Sequence, residues 1–205
     1  MRPHRLAALF ILYGPVASAA AQSAEPAPVT VLSYGTLNQN DLALRVSNDE
    51  LEIRFIPLDP KVTRLLANDA FQYLRALVET RRRSIDSVAS RAGVTDPGLA
   101  LVSFFGRQAG SRFDPQTLTL RLRSRALQPL GIIPINARFT SQQLDVREQA
   151  TAIYLFEEDL PVDDSFSLTY GSLTSEDWQN KQPMIDRERA RLPTRARAAR
   201  PDTTR

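Results

Sequence analysis

The spacing of the apolar residues changes twice along this chain, and that change limits the folds available to it. Across residues 42–55 apolar and polar residues alternate on either side of an Asn-Asp pair. A period of two around a turn signal predicts a β-hairpin with one buried face. Across residues 60–83 the apolar residues instead recur every three or four positions, which is the period of an amphipathic helix. The alternation then returns, so the chain must combine β-structure with one long helix.

Two local signals set the ends that we expect for this helix. Asp59 is a preferred N-cap residue, and Pro60 suits the first helical position because its fixed φ is already helical. A short apolar continuation leads to Gly93, which favours a left-handed C-cap because it has no side chain. The sequence therefore predicts a helix over residues 60–92.

Short apolar segments separated by turn signals follow the helix and predict a series of strands. Those segments are residues 99–105, 118–122, 130–135, 151–156 and 166–170. Pro129 and Pro134 assign the 130–135 segment to a sheet edge or a bulge, because proline cannot donate a ladder hydrogen bond. The predicted fold is mainly β with one long helix, an α+β class. Its expected form is a β-sandwich-like domain with the helix packed at one end or edge.

A second, shorter helical segment is expected near the C-terminus. Thr174 and Asp177 have the spacing of a capping box, and Trp178, the single tryptophan, is expected to dock the segment on the domain. Pro183 is expected to limit or kink the helix. Beyond Leu192 too few apolar residues remain to be buried, which predicts disorder. The expected organisation is one domain over residues 29–172, a helical segment over 173–192 and a disordered Arg-rich tail over 193–205.

The first twenty-one residues have the order of a secretory signal peptide. Two arginines precede an apolar run over residues 6–13, and small residues then continue to Ala21. We expect cleavage between Ala21 and Gln22, with cleavage after Ala19 or an uncleaved N-terminal anchor as alternatives. We further expect a short linker over residues 22–28 and an exported protein in the periplasm or outside the cell. The apolar run is shorter than the ~20 residues that span a bilayer, so no transmembrane span is expected after cleavage.

The residue types missing from the predicted mature chain exclude several chemistries. The chain has no cysteine, and its only histidine, His4, lies in the predicted signal peptide. Nucleophilic triads need an imidazole base, and zinc, copper and haem sites depend on His or Cys ligands. We therefore expect no cofactor and no enzyme of these classes. Carboxylate chemistry and a calcium site built from oxygens remain open.

The basic isoelectric point does not indicate a nucleic-acid partner. The formal net charge is +3, and seven arginines lie within the last nineteen residues. A nucleic-acid-binding domain carries its cations as a patch on the folded surface, whereas this chain carries them in its tail. We interpret the strong preference for arginine over lysine as the compositional bias of a GC-rich bacterial genome.

A cluster of acids between two predicted strands is the candidate metal site. Its members are Glu157, Glu158, Asp159, Asp163 and Asp164. Carboxylate oxygens are the ligands that calcium prefers, but the D-x-D-x-D-G order of a defined calcium loop is missing. The alternative is a solvated hairpin loop whose charges keep a sheet edge soluble.

A row of arginines is the candidate contact for an anion or an acidic partner. Arg121, Arg123 and Arg125 follow one another at every second position, so a strand would place them on one face. Guanidinium groups bind carboxylates and phosphates through paired hydrogen bonds. The alternatives are the ordinary polar face of a half-exposed strand and pairing with the acidic cluster of the same molecule.

These features favour a non-enzymatic binding or accessory domain with a protein or cell-envelope partner. One alternative is a calcium- or acidic-glycan-binding module, served by the acidic cluster and the arginine row. Another is a carboxylate-dependent glycan-acting enzyme, which needs two acids across a cleft, one of them with a raised pKa. A concave site with paired buried acids would favour the enzyme, and an apolar or charged surface would favour the binding domain.

Overall fold

The alternating residues 42–55 form the predicted hairpin. The structure is a computed structural model that describes residues 34–198. In it β1 (Leu44–Ser47) pairs antiparallel with β2 (Leu51–Pro57). Asn48 holds the turn, because its side-chain oxygen accepts hydrogen bonds from the backbone N–H groups of Glu50 and Leu51.

The predicted strand segments after the helix are also strands, and they build antiparallel sheets with the hairpin. The further strands are β3 (Gly98–Gly106), β4 (Ser111–Arg112), β5 (Leu118–Arg121), β6 (Ala126–Leu127), β7 (Gly131–Pro134), β8 (Gln143–Leu144), β9 (Gln149–Phe156), β10 (Ser167–Tyr170) and β11 (Leu173–Ser175). One sheet has the order β1-β2-β3-β9-β7, a second has the order β11-β10-β5-β6, and β4 pairs with β8. β7 lies at a sheet edge, as its proline predicted. With the helices described next, these sheets confirm the α+β class.

Aromatic side chains join the two larger sheets in one core. Phe104 of β3 lies edge-to-face with Tyr170 of β10, with ring centroids 5.9 Å apart. Phe104 also stacks on Phe113 at 4.3 Å. The hydroxyl of the buried Tyr154 donates a hydrogen bond to the carbonyl of Pro115 at 2.9 Å, so its polar end is satisfied.

The helix predicted over residues 60–92 is two helices, and the prediction of a single one was wrong. α2 (Pro60–Thr63) is one turn long, and α3 (Asn68–Ala92) follows after a break. Within the break Leu66 forms a parallel β-bridge with Leu37. Pairing with this distant segment overrides the local helical period, because tertiary contacts outweigh the small differences in helix propensity.

Both predicted helix ends are nevertheless present. The Asp59 carboxylate caps α2 by accepting a hydrogen bond from the Lys61 backbone N–H at 2.7 Å. Gly93 ends α3 with φ of 71°, in the left-handed region. The local cap signals therefore survive the break between the helices.

α3 packs closely against the edge strand β7. A Cβ atom on Gly131 would lie 2.3 Å from Cγ1 of Val88, so the absence of a side chain lets the helix approach. Arg81 of α3 donates a hydrogen bond to the carbonyl of Ile135, just beyond β7, at 3.4 Å. The position of α3 fixes one wall of the site described below.

The C-terminal segment differs from the prediction at both of its ends. Residues 173–175, expected to be helical, form β11, which pairs with β10. α5 (Trp178–Ala198) then begins and runs through both Pro183 and Pro193, so it includes residues 193–198 of the predicted disordered tail. Within the extension Arg195 pairs with the buried carboxylate of Glu188, a contact that stabilises it.

Trp178 docks α5 as predicted. Its side chain is buried, and its Nε1–H donates to the carbonyl of Val162 at 3.2 Å. The two remaining short helices are α1 (Gln39–Leu42) and α4 (Arg138–Ser141). The predicted signal peptide (1–21), its cleavage between Ala21 and Gln22, the linker (22–28) and residues 199–205 of the tail lie outside the described residues.

Candidate functional site

Three cavities that share lining residues follow one side of α3, and together we call them the α3 groove. Their volumes are about 230, 450 and 550 Å³. Val78 lines the first and the second, Asp96 lines the second and the third, and Arg82 lines all three. The lining residues of α3 recur every three or four positions and are Phe71, Leu74, Arg75, Val78, Glu79, Arg82, Ile85, Asp86, Ala89 and Ser90. Such residues share one helix face.

The first cavity of the groove has an apolar floor and charged rims. In the first cavity the floor includes Leu58 and Leu74, both buried. Arg75 and Arg82 are exposed at the rim, and Arg82 pairs with Glu79 at 3.1 Å. The opposite wall comes from α2 and from the loop between α3 and β3. An apolar floor with charged edges is the surface that a peptide segment with spaced apolar side chains would cover.

Three aspartates line the second cavity, but only one of them is buried. Asp59 is 8% exposed, whereas Asp96 and Asp159 are exposed. Burial raises the pKa of Asp59, and the hydrogen bond from the Lys61 N–H and the Lys61 charge oppose that effect. Asp59 therefore has the raised pKa that a carboxylate-dependent enzyme needs in one of its acids, but its carboxylate already caps α2.

The members of the predicted acidic cluster do not converge on one point but contact different partners. Glu158 pairs with Arg125, and Asp163 pairs with Arg189 at 2.8 Å and with Lys61 at 3.6 Å. Asp159 faces the α3 groove, while Glu157 and Asp164 are exposed. Within residues 34–198 no three or more His, Cys, Asp or Glu side chains are grouped to hold a metal ion.

The predicted arginine row is divided. β5 ends at Arg121, and the Leu122 N–H donates to the Arg125 carbonyl at 2.8 Å in the turn that follows. Because of this turn, the expectation that one strand face carries all three arginines was wrong. Arg121 and Arg123 line one cavity of about 500 Å³, and Arg125 turns to Glu158.

Sequence reasoning did not identify the α3 groove. It interpreted the apolar stripe of the helix as a packing face, and part of that stripe instead lines the groove. One signal was available: Arg82 interrupts the apolar spacing set by Leu74, Val78 and Ile85. A charged residue within such a stripe indicates that the stripe reaches solvent at that point.

Neither membrane spans nor similarity to known proteins points to a function. Among the described helices, none combines the length and the apolar character needed to cross a bilayer. Comparisons with protein-family models, with curated proteins and with solved structures found no significant match to this chain.

Proposed function

We propose that this protein is an exported, non-enzymatic binding domain whose α3 groove receives a polypeptide segment of a partner in the periplasm or at the cell surface. The observation that carries the proposal is that three cavities with shared lining residues follow α3, a helix of about 37 Å. Grooves with an apolar floor beside a helix suit segments that present apolar anchors at regular spacing.

The charges along the groove describe the partner segment further. The first cavity presents Arg75 and Arg82 against a single acid, Glu79. The third cavity presents Asp86 and Asp96 against the shared Arg82. The charge therefore changes sign from the N-terminal to the C-terminal end of α3. A complementary segment has apolar anchors, an acidic residue near Arg75 and a basic residue near Asp86.

The same geometry gives less support to the two alternatives. Carboxylate catalysis needs two acids facing each other across a cleft, one of them with a raised pKa, and the acid with a raised pKa in this groove, Asp59, is committed to a helix cap. A calcium site needs several oxygens that converge on one point, and Glu158 and Asp163 are instead turned to cationic side chains.

A matched pair of arginine substitutions tests the groove. Arg82 and Arg83 are neighbours on α3 and both are exposed, but Arg82 lines the groove and Arg83 does not. Peptides selected from a random display library on the wild-type domain should bind Arg83→Glu almost unchanged. They should bind Arg82→Glu at least about tenfold more weakly, a loss of ~1.4 kcal/mol.

The two outcomes of this experiment are distinct. Selected peptides that carry spaced apolar residues and discriminate between the two variants support the groove. Peptides that bind both variants equally, or a library that yields no binder, contradict it. A native partner captured from the envelope fraction is then assigned to the groove only if Arg82→Glu abolishes its capture and Arg83→Glu does not.

Export is tested independently of the groove. The order of residues 1–21 supports cleavage between Ala21 and Gln22. Expression of the complete chain in a bacterium with a periplasm, followed by intact mass measurement of the periplasmic fraction, should give a protein that begins at Gln22. A full-length mass confined to the cytosolic fraction would contradict this part of the proposal.

A further inference from the structure

We infer that the cavity at the end of β5 is a second binding site, and that its ligand is an acidic sugar. The cavity has a volume of about 500 Å³, within the range of small-molecule sites. It lies where Arg121 of β5 is paired in register with Ser167 of β10, and Thr174 of β11 and Gln179 of α5 complete its polar lining. None of these residues lines the α3 groove.

Two arginines without an acidic partner give this cavity its character. Arg121 and Arg123 are both exposed, and neither forms an ion pair within the described part of the chain. Arg125, two residues further along, pairs with Glu158. Two guanidinium groups that line one cavity repel each other, and an anionic ligand between them relieves that repulsion through charge-assisted hydrogen bonds.

Glu176 distinguishes a sugar acid from a bare anion. Its carboxylate lines the same cavity and would repel inorganic phosphate or sulfate. An ionised carboxylate only accepts hydrogen bonds, and a sugar hydroxyl can donate to it in place of the water that reaches this exposed side chain. Ser167, Thr174 and Gln179 can each donate to and accept from further hydroxyls. The polar part of the lining therefore matches a ligand with one carboxylate and several hydroxyl groups, and Leu122 and Phe166 add an apolar surface for the sugar ring.

Titration calorimetry with glucuronate, glucose and sulfate on the purified protein tests this inference. Glucuronate should bind at least about tenfold more tightly than glucose, which has the hydroxyls but not the charge. The double variant R121Q/R123Q should lose at least about tenfold in glucuronate affinity. Arg125→Gln is the matched control. It also replaces an arginine by glutamine, but at a position two residues further along that does not line the cavity, so glucuronate affinity should stay unchanged. The three arginines are exposed, so all variants should fold.

The variant Glu176→Gln separates the two kinds of ligand. If the carboxylate accepts a sugar hydroxyl, this variant should weaken glucuronate binding by about threefold or more and strengthen sulfate binding. Equal strengthening of both ligands would mean that the site holds an adventitious ion only, and this would overturn the inference. The inference is equally overturned if glucose binds as tightly as glucuronate, or if glucuronate does not bind. All of these outcomes are independent of the α3 groove.

Discussion

The carboxylate of Glu188 accepts two hydrogen bonds from Thr36, one from the backbone N–H at 2.7 Å and one from the hydroxyl at 3.1 Å. The same carboxylate pairs with Arg195, which lies seven residues further along α5. The Glu188 side chain is 3% exposed. Thr36 precedes α1, whereas Glu188 lies in the last helix. The buried Glu188 carboxylate therefore holds α5 against the segment that precedes α1.

We expect Glu188→Ala to lower the free energy of unfolding by about 2 kcal/mol. Hydrogen bonds to a charged group contribute ~1.5–3 kcal/mol, and Arg195, 35% exposed, can be rehydrated when its partner is removed. Urea denaturation measures the change. Asp186→Ala is the matched control on the same helix, because Asp186 is 62% exposed and, in the described part of the chain, forms an ion pair only with Arg189. It should change stability by no more than ~0.5 kcal/mol, and equal effects of the two variants would contradict the prediction.

The same carboxylate should make stability depend on pH. Burial acts to raise the pKa of Glu188, but the hydrogen bonds from Arg195 and Thr36 outweigh burial, so its pKa lies below the ordinary value. A lowered pKa in the folded state means that this contribution is present above the unfolded pKa of about 4.3. It is lost as the pH falls through the folded pKa.

Urea midpoints measured from neutral to acidic pH test this dependence. The wild type should lose stability on acidification more steeply than Glu188→Gln, which cannot titrate at this position. Parallel curves for the two proteins would show that Glu188 does not contribute to the acid sensitivity.

The elements predicted correctly from sequence are those specified by neighbouring residues. The Asn48 turn and the caps at Asp59 and Gly93 each depend on side chains within a few positions. The break before α3 depends on the bridge between Leu37 and Leu66, which no local pattern encodes. The two-helix arrangement was therefore beyond sequence reasoning.

The candidate sites follow the same distinction. The spacing of Arg121 and Arg123 was visible in the sequence, and both residues line one cavity. Pairing of the row with the acidic cluster was one of the alternatives, and Arg125 confirms it by pairing with Glu158. That Arg125 pairs, rather than Arg121 or Arg123, depends on a turn and on a loop more than thirty residues away. The α3 groove needs α2 and the loop before β3 to stand opposite α3, and only the assembled fold provides that juxtaposition.

Substitutions of Asp59 separate two effects on stability, that of the helix cap and that of the carboxylate charge. Asp59→Ala removes the α2 cap and should cost about 1 kcal/mol, whereas Asp59→Asn retains a good cap. Because burial raises the pKa of Asp59 in the folded protein, the stability associated with this group is complete below the unfolded pKa and is lost as pH rises through the folded pKa.

Asp59→Asn should therefore be at least as stable as the wild type at neutral pH, and the difference should disappear in acid below about pH 3.9. Thermal or urea denaturation of the three proteins at both pH values provides the measurement. A loss at neutral pH as large for Asn as for Ala would mean that the carboxylate charge itself is needed for the cap.

The contact between Gly131 and Val88 provides a test of how α3 is held against β7. In Gly131→Ala the new Cβ would lie 2.3 Å from Cγ1 of Val88, and overpacking of this kind costs ~1–3 kcal/mol. Val88→Ala removes the obstructing methyl groups, so the double variant G131A/V88A should recover most of the stability lost in Gly131→Ala. Residues in contact should show a coupling energy of at least ~1 kcal/mol in a double-mutant cycle measured by urea denaturation. Additive effects would instead show that α3 and β7 are not in contact at these two residues. The position of α3 as one wall of the α3 groove would then be contradicted.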